Sequence, residues 1–370
     1  MSGKYEVAAY YFPQWHADPK NEVTKGKGWS EWVTMKEARP RFPHHDQPKI
    51  PIWGYLDESN PQVSEKQIDA AADHGINVFL YDWYWDMGGK EDSYGPFLHR
   101  ALEEGYLRAN NRERLKFALM WANHNEVNRE RFEAMTDYIV EKYLNCPNYW
   151  KVNDGLFFCV YEMHTLIKGL GGKEETKSAL DSFRRKVKAA GLPHLHLNGM
   201  EWGLQSHHAE IGASPNETAK YLGVDSVTSY VWMHNMQMDH FPDEPYANVS
   251  KKAPELWQKI HNEFDVVYFP NVTMGWDPSP RFDQNRPYDK NEYGGNSYLS
   301  SILVGNTPEA FEKSLMEAKE FLDKTNASPK VVTLYAWNEW TEGGFLEPEK
   351  VHGMGYLDAI KNVFGGNGDE

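Results

Sequence analysis

Residues 331–348 read Val331-Val332-Thr333-Leu334-Tyr335-Ala336-Trp337-Asn338-Glu339-Trp340-Thr341-Glu342-Gly343-Gly344-Phe345-Leu346-Glu347-Pro348. The opening apolar, β-branched run predicts a strand buried on both faces, and such strands normally stop at turn residues. This one runs instead into Trp, Asn and two carboxylates three residues apart. Taken alone, Glu339 and Glu342 read equally well as catalytic acids or as partners in a solvated salt bridge. Acids and aromatics delivered to one spot are also what is needed to protonate a glycosidic bond and stack on a sugar ring.

Working outward, the same kind of run recurs eight times: Val7 to Tyr11, Val78 to Tyr81, Phe117 to Met120, Leu156 to Val160, Leu195 to Leu197, Val227 to Val231, Val266 to Phe269 and Val331 to Tyr335. Most are separated by helical periodicity, at Gln62 to His74, Phe132 to Leu144, Glu174 to Ala190, Glu255 to Glu263 and Pro308 to Asp323, with a shorter helix predicted over Asn216 to Leu222. Alternating strands and helices imply parallel strands, so the expected fold is α/β, a single (β/α)₈ TIM barrel. No linker or repeat divides the chain, which predicts one catalytic domain over residues 1–370 with a long, Pro-rich first βα loop at about residues 12–60.

Chemistry in such a barrel gathers where the strands end at their C-terminal side. The candidate substrate-binding residues at those ends are Tyr11, Trp15 and His16 after the first strand, and Asp82, Trp83 and Trp85 after the second. The next ends supply Trp121, Asn123 and His124, then Glu162, then Tyr230, Trp232 and His234. The last two supply Trp276, Asp277 and Arg281, then Trp337 and Asn338 beside the acids Glu339 and Glu342. Arg281 reads either as a ligand clamp or as the partner of a nearby acid. A ring of hydrogen-bonding side chains interleaved with indoles and phenols suits sugars, whose hydroxyls need polar partners and whose C–H faces pack on aromatic rings.

Other chemistries fit less well. A formal net charge of −15 argues against nucleic acid or an anionic membrane surface as partner. No glycine-rich phosphate loop follows a strand, and Gly169-Leu170-Gly171-Gly172 reads as an ordinary loop. His194-Leu195-His196 puts two imidazoles on one strand face, but at the strand's start, and the pairs His44-His45 and His207-His208 have no third ligand nearby. The expectation is therefore no metal and no other cofactor. Cys146 and Cys159 offer no disulfide framework, and Cys159 reads as a buried thiol. No apolar stretch is long enough to span a bilayer and nothing resembles a signal peptide, which leaves periplasmic, secreted and cytoplasmic locations open.

Several motifs together carry a family resemblance. Tyr10-Tyr11-Phe12-Pro13-Gln14-Trp15-His16, Gly28-Trp29-Ser30-Glu31-Trp32 and Ala38-Arg39-Pro40 lead, followed by Gly75-Ile76-Asn77-Val78-Phe79 with Tyr84-Trp85. Gly275-Trp276-Asp277 with Arg281, and Trp337-Asn338-Glu339-Trp340 with Glu342-Gly343 and Leu346-Glu347-Pro348, complete the set. The chain resembles the WbsX-like proteins, labelled as lipopolysaccharide-biosynthesis glycosyltransferases and related to glycoside hydrolase family 99. That resemblance implies a metal-free, retaining α-mannosidase-type hydrolase. By it, Glu339 would deprotonate the sugar 2-hydroxyl, which attacks the anomeric carbon to give a 1,2-anhydro intermediate. Glu342 would protonate the leaving oxygen and then activate water. The sequence departs from family 99 in the loop Trp276 to Arg281 and in having Thr341 between the acids. The expected partner is an oligo- or polysaccharide of manno configuration, mannose or rhamnose type. The alternatives are a glycosyltransferase of surface-polysaccharide biosynthesis and a non-catalytic carbohydrate-binding barrel.

Overall fold

The computed structural model describes residues 5–86, 95–206, 212–292 and 297–365. Its frame is a ring of parallel strands: β1 (Glu6–Tyr11), β2 (Val78–Asp86), β3 (Lys116–Trp121), β4 (Gly155–Val160), β5 (Leu195–Met200), β6 (Ser226–Thr228), β7 (Val267–Phe269), β8 (Asn271–Thr273) and β9 (Val331–Tyr335). The strand order β7-β6-β5-β4-β3-β2-β1-β9-β8 makes nine segments into eight staves, because β7 and β8 are halves of one strand broken at Pro270. Proline has no N–H to give the ladder, so it divides the stave. The half before it pairs with β6, the half after it pairs with β9, and the Pro270 carbonyl still accepts the Thr333 N–H at 3.0 Å. The fold is the (β/α)₈ barrel the alternation predicted.

Helices on the outside cover the staves: α1 (Pro61–Asp73), α2 (Arg129–Lys142), α3 (Lys173–Ala189), α4 (Pro215–Leu222), α5 (Ala253–Glu263), α6 (Pro308–Lys324) and α7 (Gly355–Phe364). The short α4 is held by a capping box in which Ser214 and Glu217 satisfy each other's backbone N–H. Among the described residues between β2 and β3, a short strand at Gly95–Phe97 is followed by a π turn, Ala101–Gly105, and by 3₁₀ turns at Tyr106–Arg108 and Arg112–Arg114.

Strand limits differ from the sequence expectation in ways that matter for function. β2 continues to Asp86 instead of stopping at Tyr81, β6 ends at Thr228 instead of Val231, and β5 runs on to Met200. His194 is exposed at the mouth opposite the strand ends, whereas His196 is buried with its Nε2 2.8 Å from the Ser226 hydroxyl. His207 and His208 lie outside the described residues. Cys146 and Cys159 are both free thiols. Among the described residues no helix is long and apolar enough to cross a membrane.

The long first loop does not hang in solvent. It carries short helices at Pro19–Lys25 and Trp32–Glu37 and packs Phe12, Trp15, Trp32 and Met35 against Trp340 and Phe345 from the turn after β9. Burying one large apolar side chain contributes roughly 1.5–3 kcal/mol, so this cluster ties the loop firmly to the turn that bears the two acids.

Candidate active site

The turn after β9 is built to present Glu339 and Glu342 together. Asn338–Glu339 pairs antiparallel with Gly344–Phe345, and the link between them is a 3₁₀ turn over Trp340–Glu342. Glu339 flanks this turn and Glu342 ends it, and both carboxyl groups come within reach of one guanidinium. Gly343 closes the turn at φ +71°, and a Cβ there would lie 2.6 Å from the Asp277 nitrogen, so glycine is required. Asn338 fastens the turn to the end of β1, accepting from the Phe12 N–H at 2.7 Å and donating to the Phe12 carbonyl at 3.0 Å. Behind it, Trp340 donates to Glu347 at 2.8 Å and Asn338 to Glu58 at 2.5 Å.

Arg281 joins the two acids. Its Nη2 lies 3.0 Å from Glu339 Oε1, its Nη1 2.5 Å from Glu342 Oε1, and its Nε 3.1 Å from the Thr341 hydroxyl. Thr341 in turn donates to Glu339 at 3.1 Å, and the Tyr335 phenol donates to Glu342 Oε2 at 2.6 Å. Glu31, from the first loop, adds a third carboxyl 3.9 Å from Arg281 Nε. Burial raises Glu339 well above the ordinary carboxylate range; Arg281 opposes this, while Glu342 and Asp82 reinforce it. Burial likewise raises Glu31 against the pull of Arg281. One guanidinium thus serves several buried carboxyls, an arrangement that favours holding a proton within the cluster.

Across the cavity, Asp82 is buried and accepts from the Tyr230 phenol at 2.8 Å, and burial raises it well above the usual range. His234 is lowered to about 4 by burial and so is neutral at pH 7. Among the described residues, Asp82 Oδ1 and His234 Nδ1 have no hydrogen-bond partner. Both residues line the cavity, where polar side chains suit a hydroxyl-bearing ligand. His124 stands at the rim 3.6 Å from Glu162; although burial alone would raise Glu162, hydrogen bonds from His124 and Thr165 hold it below the ordinary range.

The structure brings eight of the sequence candidates to one cavity of about 120 Å³: Asp82, His124, Tyr230, His234, Trp276, Arg281, Glu339 and Glu342. Glu162 sits behind His124. The others do not line it, and each has a physical reason. Trp83 and Trp85 alternate with Asp82 and Tyr84 along β2, so they face outward and pack on Tyr143 and Tyr138. Trp121 faces out in the same way against Phe132 of α2. Tyr11 donates outward to Gln67 at 2.9 Å, and Trp337 packs on Phe79. Trp15 is buried in the loop cluster, and burial lowers the neighbouring His16 to about 4. Asn123 clamps the Glu162 backbone at 2.7 and 2.8 Å, and Trp232 donates to the Asn271 carbonyl at 2.9 Å. Asn338 is the fastening described above. Asp277 accepts from Gln47 at 2.7 Å, lies 2.9 Å from His45 Nε2, and caps the Ser279 N–H at 3.0 Å, which fixes the loop that carries Arg281.

Sequence reasoning passed over Phe12, Tyr84, Met120, Ala122 and Tyr161, which share the lining, and Tyr335 and Glu31, which hold it. Tyr84 was findable, since it is two residues beyond Asp82 and a strand alternates faces. Glu31 lies in the Gly28-to-Trp32 motif, but nothing local marks it or Tyr335 as a partner of the two acids. Among the described residues no group of three or more His, Cys, Asp or Glu side chains is arranged to hold a metal ion.

Comparison with known proteins places these features in context. A family model described as glycosyltransferase WbsX matches residues 7–360. The uncharacterized protein WxcX of Xanthomonas campestris pv. campestris (strain B100) is 26% identical over 378 residues, covering 96% of this chain and 49% of that protein. The chain therefore spans about half the length of the curated relatives it matches. Among solved structures, the GH99 endo-alpha-mannosidase from Bacteroides thetaiotaomicron aligns over 98% of this chain and 97% of its own, with a TM-score of 0.56 at 15% identity. A structure described as a glycoside hydrolase-like protein aligns over 98% and 94% with a TM-score of 0.62 at 17% identity. At these identities the likeness is one of fold.

Proposed function

The chain belongs to the WbsX glycosyltransferase family, and from that premise we propose that it is a retaining, metal-independent glycoside hydrolase acting on an α-linked, manno-configured glycan. The observation that carries this reading is the pair of buried acids at the end of β9, spanned by the single guanidinium of Arg281. A surface salt bridge would not need burial, a tyrosine on one acid and a threonine on the other.

In the reaction, Glu339 takes the proton of the substrate 2-hydroxyl, and O2 attacks the anomeric carbon as its bond to the leaving oxygen breaks. Glu342 gives its proton to that leaving oxygen. In the second half Glu342 takes a proton from water, the water oxygen attacks the anomeric carbon, the C1–O2 bond opens, and Glu339 returns its proton to O2. Two inversions give net retention. Burial raises the proton affinity of Glu339 and Arg281 offsets part of that rise, the balance a general base near neutral pH calls for. A 2-hydroxyl trans to the leaving group is required, which α-mannosides and α-rhamnosides provide. The mouth residues Asp82 and His234 would bind sugar hydroxyls.

A panel of α-mannosides, α-rhamnosides and bacterial surface polysaccharides tests this, with proton NMR of the first product formed. Retention predicts the α anomer first. The β anomer first, or no turnover of any α-manno-configured substrate, contradicts it. The family's description favours a second reading, glycosyl transfer in polysaccharide assembly; turnover of a nucleotide sugar without hydrolysis of any glycan would select it.

A further inference from the structure

The segment Gly28-Trp29-Ser30-Glu31-Trp32 contains two indoles that the proposed reaction leaves unused. They have different surroundings. Trp32 is buried, donates from Nε1 to the Leu56 carbonyl at 2.8 Å, and packs on Trp15 and Trp340. Glu31 is buried beside Arg281. Trp29 remains half-buried, and with Lys25, Gln14 and Phe97 it lines a second concavity. Trp32 and Glu31 therefore anchor the segment to the catalytic turn, and Trp29 is held out as a wall.

This second concavity is not separate from the first. Phe12, Tyr84, His124 and Arg281 line both, so the two form one continuous path from the acids outward. Phe97 reaches the wall because its short strand pairs with the end of β2, opposite Tyr84. The result is an indole and a phenyl ring beside the Gln14 amide, with the Lys25 ammonium over one face of the indole, 5.6 Å from its centroid. A pyranose has the matching surface, a C–H face for the ring and hydroxyls for the rim.

We propose that this groove is a second sugar subsite, in which Trp29 carries the apolar face of the pyranose adjoining the one cleaved at Glu339 and Glu342. The inference rests on the glycosidase reading. It makes the preferred ligand at least a disaccharide and gives the Gly28-to-Trp32 segment a function of its own.

The test is calorimetric binding to the full chain carrying Glu342→Gln, so that probes are not turned over. Methyl α-mannoside and methyl α-rhamnoside serve as one-sugar probes, and α-linked mannobioses and rhamnobioses as two-sugar probes. Trp29→Ala should weaken the best two-sugar probe by about three- to tenfold, the range expected for one aromatic contact. Trp29→Phe should keep most of that affinity, and one-sugar binding should not change. The subsite is refuted if Trp29→Ala leaves two-sugar binding within about twofold, or weakens both probe sizes equally. If no probe of either size binds while Trp29 is intact, the glycosidase reading fails and the subsite fails with it.

Discussion

Arg281 holds Glu339 and Glu342 with one guanidinium, its Nη2 at 3.0 Å from the first and its Nη1 at 2.5 Å from the second. The cation partly offsets the burial that raises Glu339. Removing it must let Glu339 keep its proton to higher pH. If Glu339 acts as the base, activity on the acid side requires its deprotonation. Arg281→Met is therefore expected to move the acid limb of the kcat/KM profile to higher pH, besides lowering the plateau. A limb that stays in place would mean that Glu339 does not govern it.

Tyr335 donates its phenol hydrogen to Glu342 Oε2 at 2.6 Å, while Arg281 donates to Oε1. Hydrogen bonds to charged groups contribute about 1.5–3 kcal/mol, so Tyr335→Phe should cost roughly 10- to 100-fold in kcat/KM. The phenyl ring keeps the packing against Tyr230 and Trp276, so thermal stability should change little. A normal rate with a much lower Tm would assign Tyr335 a purely structural role.

Trp83 and Tyr84 are neighbours with opposite duties. Trp83 is buried on the outer face of β2, its indole N–H 3.2 Å from the Tyr143 hydroxyl, whereas Tyr84 lines the cavity. Trp83→Ala should cost about 3–5 kcal/mol of stability in denaturant unfolding, with the activity of the folded fraction retained. Tyr84→Ala should show the reverse pattern, a loss of kcat/KM with a small change in stability.

That contrast also shows how far the sequence could be read. The alternation of apolar runs and helical periods was enough for the barrel, because burial on both faces leaves a continuous signature in each strand. The pair Glu339 and Glu342 was legible because an apolar strand ended in acids. The aromatic lining was not, since adjacency to polar residues does not reveal which face of a strand a ring occupies. β2 extends five residues past the expected end at Tyr81, and the parity of those residues decides that Asp82 and Tyr84 face in. The bridge from Arg281 to Glu339 spans 58 positions, and only the loop fixed by Asp277 brings it there.

Glu201 offers a check on the electrostatics away from the reacting atoms. It is fully buried at the end of β5, accepts from Asn235 at 2.6 Å, and burial raises it from about 4.5 to about 7. The folded state then binds its proton more tightly than the unfolded state does. Between about pH 4.5 and 7 the folded chain holds more protons, so this group's contribution to stability falls as pH rises and levels off above. Glu201→Gln removes the titration. The Tm of the variant relative to the parent should climb across that window and then stay flat; a difference independent of pH would refute the shift.

The central claim is that Glu339 and Glu342 do the chemistry. The most direct measurement is kcat/KM for Glu339→Gln and Glu342→Gln on the substrate found in the panel, with folding checked by circular dichroism. Loss of general acid or base help predicts a fall of about 10²–10⁴-fold for each variant with the fold intact. Near-parental turnover by either folded variant would contradict the assignment.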